Sequence, residues 1–377
     1  MAAPSLALIP SAYKVGKVAS VKPINGKGDF TFTRNSEATR INENGIIETM
    51  GVDVPRIDHS DGGCPSLLLE PASTNLITYS EDFSQSVWAK TNTTVVSNFA
   101  TSPIANTMAD KLTFTTTDTQ ARVQVVLNGL TQGNQYNQSY YLKSLGSDVN
   151  IRIGTSASVA GEFVDVIVTS EWQRFNITTT ASSTTEYPRV QNISGTINTE
   201  ILVWGAQLEQ NSYATSYIPT DGTVVTRADE VCNGAGDVNT FNSVEGTLFG
   251  DITAIANDSI FKLIGISNGT TSNRAYIGYS SVSNNITATL ELNGVAQASI
   301  SHDVDDITTS SKVAFTYKNN DFNLWVNGSK VGSDTSGSTF PLGIINTAVF
   351  SSGSGSSVFY GKTKQVQVFK TALTDAE

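Results

Sequence analysis

From residue 121 to residue 370 of this 377-residue chain, apolar and polar residues repeatedly alternate one for one. In "ARVQVVLNGL", Ala121, Val123, Val125 and Leu127 share one face, and Arg122 and Gln124 share the other. In "YNQSYYLKS", Tyr136, Gln138, Tyr140 and Leu142 alternate with Asn137, Ser139, Tyr141 and Lys143. A period of two places successive side chains on opposite faces of an extended strand, and an antiparallel sheet with one wet face needs that pattern. No segment repeats at the helical period, and only "TALTDAE" at residues 371–377 is expected to form a helical turn. Hydrophobic residues make up 39% and charged residues 15%, so the expected cores are lean and the turns polar.

The alternation divides the chain. Strand signals recur from Asn75 to Arg227 at the spacing of a β-sandwich, and a second set follows "TDGTVVTRADEVCNGAGD". Two hairpins stand out in the second set, with Asn293-Gly294 and Asn327-Gly328 as their turns. Before the first set, residues 1 to about 62 read as strand-poor, with short signals in "GDFTFTR" and around Asn44-Gly45. The opening of this leader carries Lys14, Lys17, Lys22 and Lys27 against one acid, Asp29, which fits either an extended docking arm or a tail packed on the next domain. The expected fold class is all-β: an extended N-terminal region (1–73), then β-sandwiches at 74–228 and 229–377.

Charge and cysteine usage narrow the function. A net charge of -11 repels phosphate backbones, so no nucleic-acid partner is expected. No apolar run reaches membrane-spanning length, so no membrane insertion is expected. The start "MAAPSLALIPSAYKVGK" lacks the preceding positive charge of a secretory signal. Cys64 and Cys232 lie far apart and outside any metal or disulfide spacing, which suits folding in a reducing cytoplasm.

Catalysis is not expected. His59 and His302 are the only histidines; neither sits in a motif, and His302 is expected in a solvated turn. No E-x-D-x-x-E run offers the paired carboxylates of a glycosidase, and Asp303, Asp305 and Asp306 fall on an expected loop, as a solvated turn or a calcium site. Sugar binding uses aromatic rings with flanking polar groups. Trp172 shares a face with Arg174 and Asn176, and Tyr141 shares one with Lys143, so Trp172, Tyr141 and Arg174 are the candidate glycan contacts. Trp204 alternates with Leu202 and Leu208 as a core residue would, whereas Trp325 lies between Leu324 and Val326 and alternation gives it no face.

Several blocks form a wider pattern. "GDFTFTRNSEATRINENGIIE", "VPRID" and "CPSLLLEPASTNLITYSEDFS" followed by Trp88 resemble the N-terminal segment of a family of tailed-bacteriophage virion proteins, the tail-fibre, head-fibre or spike proteins. "SEWQRFNITTT" and "ILVWGAQLEQNSYATSYIPT" resemble a carbohydrate-binding-module jelly roll, and "GTLFGDI" with "FTYKNNDFNLWVNGSKVG" resembles a concanavalin-like, laminin-G-like sandwich. The resemblance implies a non-enzymatic virion protein, made in the host cytoplasm and anchored to other virion proteins by its N-terminal region. It implies a homotrimer whose sandwiches face host surface glycans. It also implies a structural calcium in the jelly roll, for which Glu81, Asp82 and Asp110 are the best-placed residues. A head decoration protein without a ligand and a capsule-degrading tail spike remain the alternatives.

Overall fold

The computed structural model describes residues 2–117, 120–155 and 161–375. Among them there is no helix; Thr371 is a bend, Asp375 a turn, and residues 372–374 are irregular. The chain forms two compact units, one of residues 1–37, 50–71 and 228–377 and the other of residues 38–49 and 72–227.

The first unit is a sandwich of two antiparallel sheets. One has the strand order Ser329–Asp334, Asp321–Val326, Ser311–Lys318, Glu245–Ala254, Gly361–Phe369, Ser66–Leu69 and Arg56–Asp58, and Leu6–Leu8 also pairs with Gly361–Phe369. The other runs from Tyr13–Lys14 through Phe30–Thr33, Val231–Ala235 and Lys262–Ser267 to Val295–Asp303. Their inner faces meet in one core that includes Phe30, Phe32, Leu67, Leu69, Leu248, Phe315 and Val368. Both expected hairpins are present: Asn293, Gly294, Asn327 and Gly328 all have positive φ (54°, 76°, 50° and 83°). Two left-handed residues in succession give the tight turn that matches strand twist, which is why Asn-Gly occupies it.

Residues 1–73 therefore are not a separate extended arm. Their strands complete both sheets of the first unit, and residues 38–49 belong to the second unit. The physical reason lies in their apolar residues: Phe30 and Phe32 alternate into the core, as do Leu67 and Leu69, and Leu68 is buried on the opposite face. A free arm would leave these side chains in water at roughly 1.5–3 kcal/mol each.

The segments are locked by a buried charge network. Arg34 Nη1 donates to Glu230 Oε1 at 2.7 Å, Arg56 Nε to the same oxygen at 2.8 Å, and Arg56 Nη1 to Glu70 Oε2 at 2.8 Å. Arg56 Nη2 also pairs with Glu230 Oε2, which in turn accepts the Glu70 amide at 2.9 Å. Arg34 spends its other donors on the carbonyls of Ser36, Val54, Met50 and Gly51. Burial works against the charge on Arg56, but Glu230 and Glu70 more than offset it and hold its pKa above the ordinary arginine value. Arg34 of "FTR", Arg56 of "VPR", Glu70 of "LLLEP" and Glu230 of "ADE" are thus fold determinants.

The second unit packs two five-stranded sheets. One has the order Trp88–Thr91, Arg122–Val125, Arg189–Asn192, Val149–Gly154, Phe163–Val168. The other has the order Thr93–Ala100, Ala109–Phe114, Thr199–Glu209, Gln135–Ser144, Gln173–Thr180. Their core holds Phe83, Trp88, Phe114, Tyr140 and Val190. Ser73–Asn75 pairs with Val225–Arg227, so the unit's entry and exit are adjacent strands. At that seam the buried Asn75 side chain makes four hydrogen bonds. It donates to the Ala206 and Ile218 carbonyls at 3.0 and 2.9 Å and accepts from the Ile77 and Leu208 amides, each at 3.1 Å.

Candidate functional site

The two expected sites of the second unit come out differently from their sequence reading. Tyr141 is buried in a cluster with Trp204, Tyr217 and Ile47, against which Ile41 and Trp172 pack. Ile41 and Ile47 belong to the Asn44-Gly45 hairpin, which is held by Thr39 Oγ1 donating to the Tyr217 carbonyl at 2.5 Å and the Ile47 amide donating to Pro103 O at 3.0 Å. Arg174 lies 5.4 Å from the Tyr141 ring centroid and donates to Thr215 O (2.7 Å) and Ser139 Oγ (2.9 Å). Trp172, Tyr141 and Arg174 are thus brought together, with Tyr141 buried in the cluster and Trp172 and Arg174 half-buried at its edge. Trp172 Nε1 is also engaged, donating to Thr101 O at 3.1 Å.

The expected calcium ligands are not gathered. Glu81 Oε1 accepts the Tyr217 hydroxyl at 2.9 Å, while Asp82 accepts Ser84 (2.9 Å from its amide) and Gln85 (2.7 Å). Asp110 accepts the Phe83 and Asn98 amides at 2.8 and 2.9 Å, one on each oxygen. The carboxylates are spent on N–H and O–H donors, whereas calcium needs converging oxygens. No group of three His, Cys, Asp or Glu suited to a metal occurs among the described residues, Asp303, Asp305 and Asp306 included. His302 lies in the strand Val295–Asp303, opposite Ile286, and not in a turn.

Asp110 does carry a testable property. Burial lifts its carboxyl to about 6, outweighing the two amide donors. A raised folded-state value means that the fold binds the proton more tightly than the unfolded chain. Its contribution is therefore full below the ordinary carboxyl range and is lost as pH rises through about 6. The wild-type minus Asp110→Asn difference in urea midpoint is expected to fall between pH 4 and pH 7; a difference independent of pH would contradict this.

A better-formed site lies on the first unit. The strand Glu245–Ala254 turns Leu248 and Ile252 into the core and Thr247, Phe249 and Asp251 outward. Register places Phe249 opposite Ala314 on one side and Gln367 on the other, and Ala314 opposite Trp325. The neighbouring row sets Phe369 beside Thr247 and Thr247 beside Thr316. These side chains line a groove of about 660 Å³ on the outer face of the sheet. Lys330 Nζ sits 5.0 Å from the Trp325 ring centroid and 3.1 Å from Asp375. Aromatic walls with amides beside them can hold a ligand that has both apolar C–H faces and hydroxyls.

The sequence reading weighed Trp325 but missed this groove. A usable signal was present in "QVQVF": Val366 and Val368 are core, so Gln365, Gln367 and Phe369 share the opposite face.

A family match agrees with the sandwich architecture of the C-terminal third. Residues 254–377 match the family model described as the concanavalin A-like lectin/glucanases superfamily. Similar solved structures include a carbohydrate-binding module described under "CBM4 structure and function", at 18% identity, covering 28% of this chain and 72% of that one, with a TM-score of 0.23. The N-terminal tandem CBM22 domains of a Paenibacillus barcinonensis protein are 9% identical, covering 79% of this chain and 98% of theirs (TM-score 0.29). Domains LG4-5 of the mouse laminin alpha1 chain are 10% identical, covering 67% and 90% (TM-score 0.26). No curated protein matches the chain. The protein is all-β, and its C-terminal third is similar to the concanavalin A-like lectin/glucanases superfamily.

Proposed function

We propose that the protein is a non-enzymatic glycan-binding component displayed on a phage particle, as a fibre or spike that contacts host surface polysaccharide. The observation that carries this reading is the groove of Phe249, Trp325 and Phe369 flanked by Gln365 and Gln367. The lectin-like family match over residues 254–377 and the N-terminal motifs shared with fibre and spike proteins support it. Binding is favoured over cleavage because, among the described lining residues, the only carboxylate is Asp375, and it is paired with Lys330.

Attachment to other virion proteins would use the surface of residues 9–24. There Ile9, Tyr13, Val15, Val21 and Ile24 are exposed apolar side chains among Lys14, Lys17 and Lys22. Trimer formation would multiply weak sugar contacts into useful avidity. The test is binding of the purified protein to host polysaccharides, with Trp325→Ala expected to weaken it about tenfold, the equivalent of roughly 1.4 kcal/mol. Absence of any polysaccharide binding would favour a decoration role, and release of reducing sugar would favour the tail-spike enzyme.

A further inference from the structure

We infer that the groove selects an extended β-linked glycan running across the strands, with one sugar above Ala314 and its two neighbours against Phe249 and Trp325. This rests on the glycan-binding reading. The argument begins with register. Phe249, Ala314 and Trp325 occupy one row on three adjacent strands. Strands lie about 4.8 Å apart, so the Phe249 and Trp325 backbones are separated by roughly 10 Å. That distance is close to two sugar units of an extended chain. In a β-linked chain with a two-fold twist, units one and three present the same face, so both can stack on rings rising from one sheet face. Ala314 is the smallest side chain available between the two rings short of glycine, and it leaves room for the middle sugar.

Lys330 comes from the strand on the other side of Trp325 from Ala314 and holds its ammonium 5.0 Å from the Trp325 ring centroid. The amides of Gln365 and Gln367 offer both donors and acceptors to hydroxyls.

The test compares β-linked hexasaccharides with an α-linked hexasaccharide by calorimetry and affinity electrophoresis, on wild type, Ala314→Leu and Ala314→Gly. The expected result is binding of a β-linked ligand that falls at least tenfold in Ala314→Leu, persists in Ala314→Gly, and accompanies an unchanged melting temperature. Preference for the α-linked ligand, still lost in Ala314→Leu, would overturn the ligand class and leave the groove's glycan role standing. Binding indifferent to Ala314→Leu would overturn the inferred location. Failure to bind any glycan would remove the glycan-binding reading itself.

Discussion

Replacing Glu230 with alanine is expected to lower the stability of the lectin-like unit by about 3–5 kcal/mol, the usual cost of leaving buried charges without their partner. Arg34, Arg56 and the Glu70 amide all bond this one carboxylate, and both of its ion pairs are fully buried. The loss is large against the 5–15 kcal/mol total of an ordinary domain. Glu230→Gln, which keeps the shape and removes the charge, is expected to fall between wild type and Glu230→Ala. Urea unfolding followed by near-UV circular dichroism reads both variants. An unchanged midpoint in Glu230→Ala would mean that the network contributes nothing to holding residues 34, 56 and 70 in place.

The second large effect is expected at Asn75. Asn75→Leu matches the volume roughly but strands two carbonyls and two amides in a buried seam, each at about 1–3 kcal/mol. The jelly roll is expected to lose at least about 3 kcal/mol even after some relaxation. Asn75→Asp keeps an acceptor for Ile77 and Leu208 but faces its other oxygen toward the Ala206 and Ile218 carbonyls, so it should not rescue the loss. Thermal unfolding of the three proteins, with proteolysis mapping which unit opens first, checks this. Equal melting temperatures would show that the four bonds are replaceable by water.

What the sequence revealed follows the range of the interaction responsible. Asn293-Gly294 and Asn327-Gly328 were legible because the turn conformation is imposed by two adjacent residues. The sandwich class was legible because alternation is local. The place of Leu67–Leu69 was not, because their partner strand Gly361–Phe369 lies almost 300 residues away in sequence and nothing local names it. Trp325 was ambiguous because both neighbours are apolar: Leu324 and Val326 point inward, which fixes Trp325 outward only once the core is known. Tyr141 shares a face with Lys143 and lies outside the main core, yet the hairpin that covers it comes from residues 38–49, again beyond local reach. The motif charges were legible as a pattern and not as a network, since Arg34 and Glu230 meet across 196 positions.

The jelly roll is therefore an insertion within the other unit's sequence, and this sets a timetable for synthesis. Leu6–Leu8 pairs with Val366–Val368, so a strand made at the start waits for one made near residue 368. At roughly 5–20 residues per second that interval is on the order of twenty seconds to a minute. The jelly roll's strands are complete once Arg227 has been made, well before those partners appear. Its paired entry and exit strands then hold Pro71 and Ala228 near one another, shortening the loop that Arg56, Glu70 and Glu230 must close. All strands of the inserted unit are thus available for pairing before the C-terminal strands of the other unit have been made.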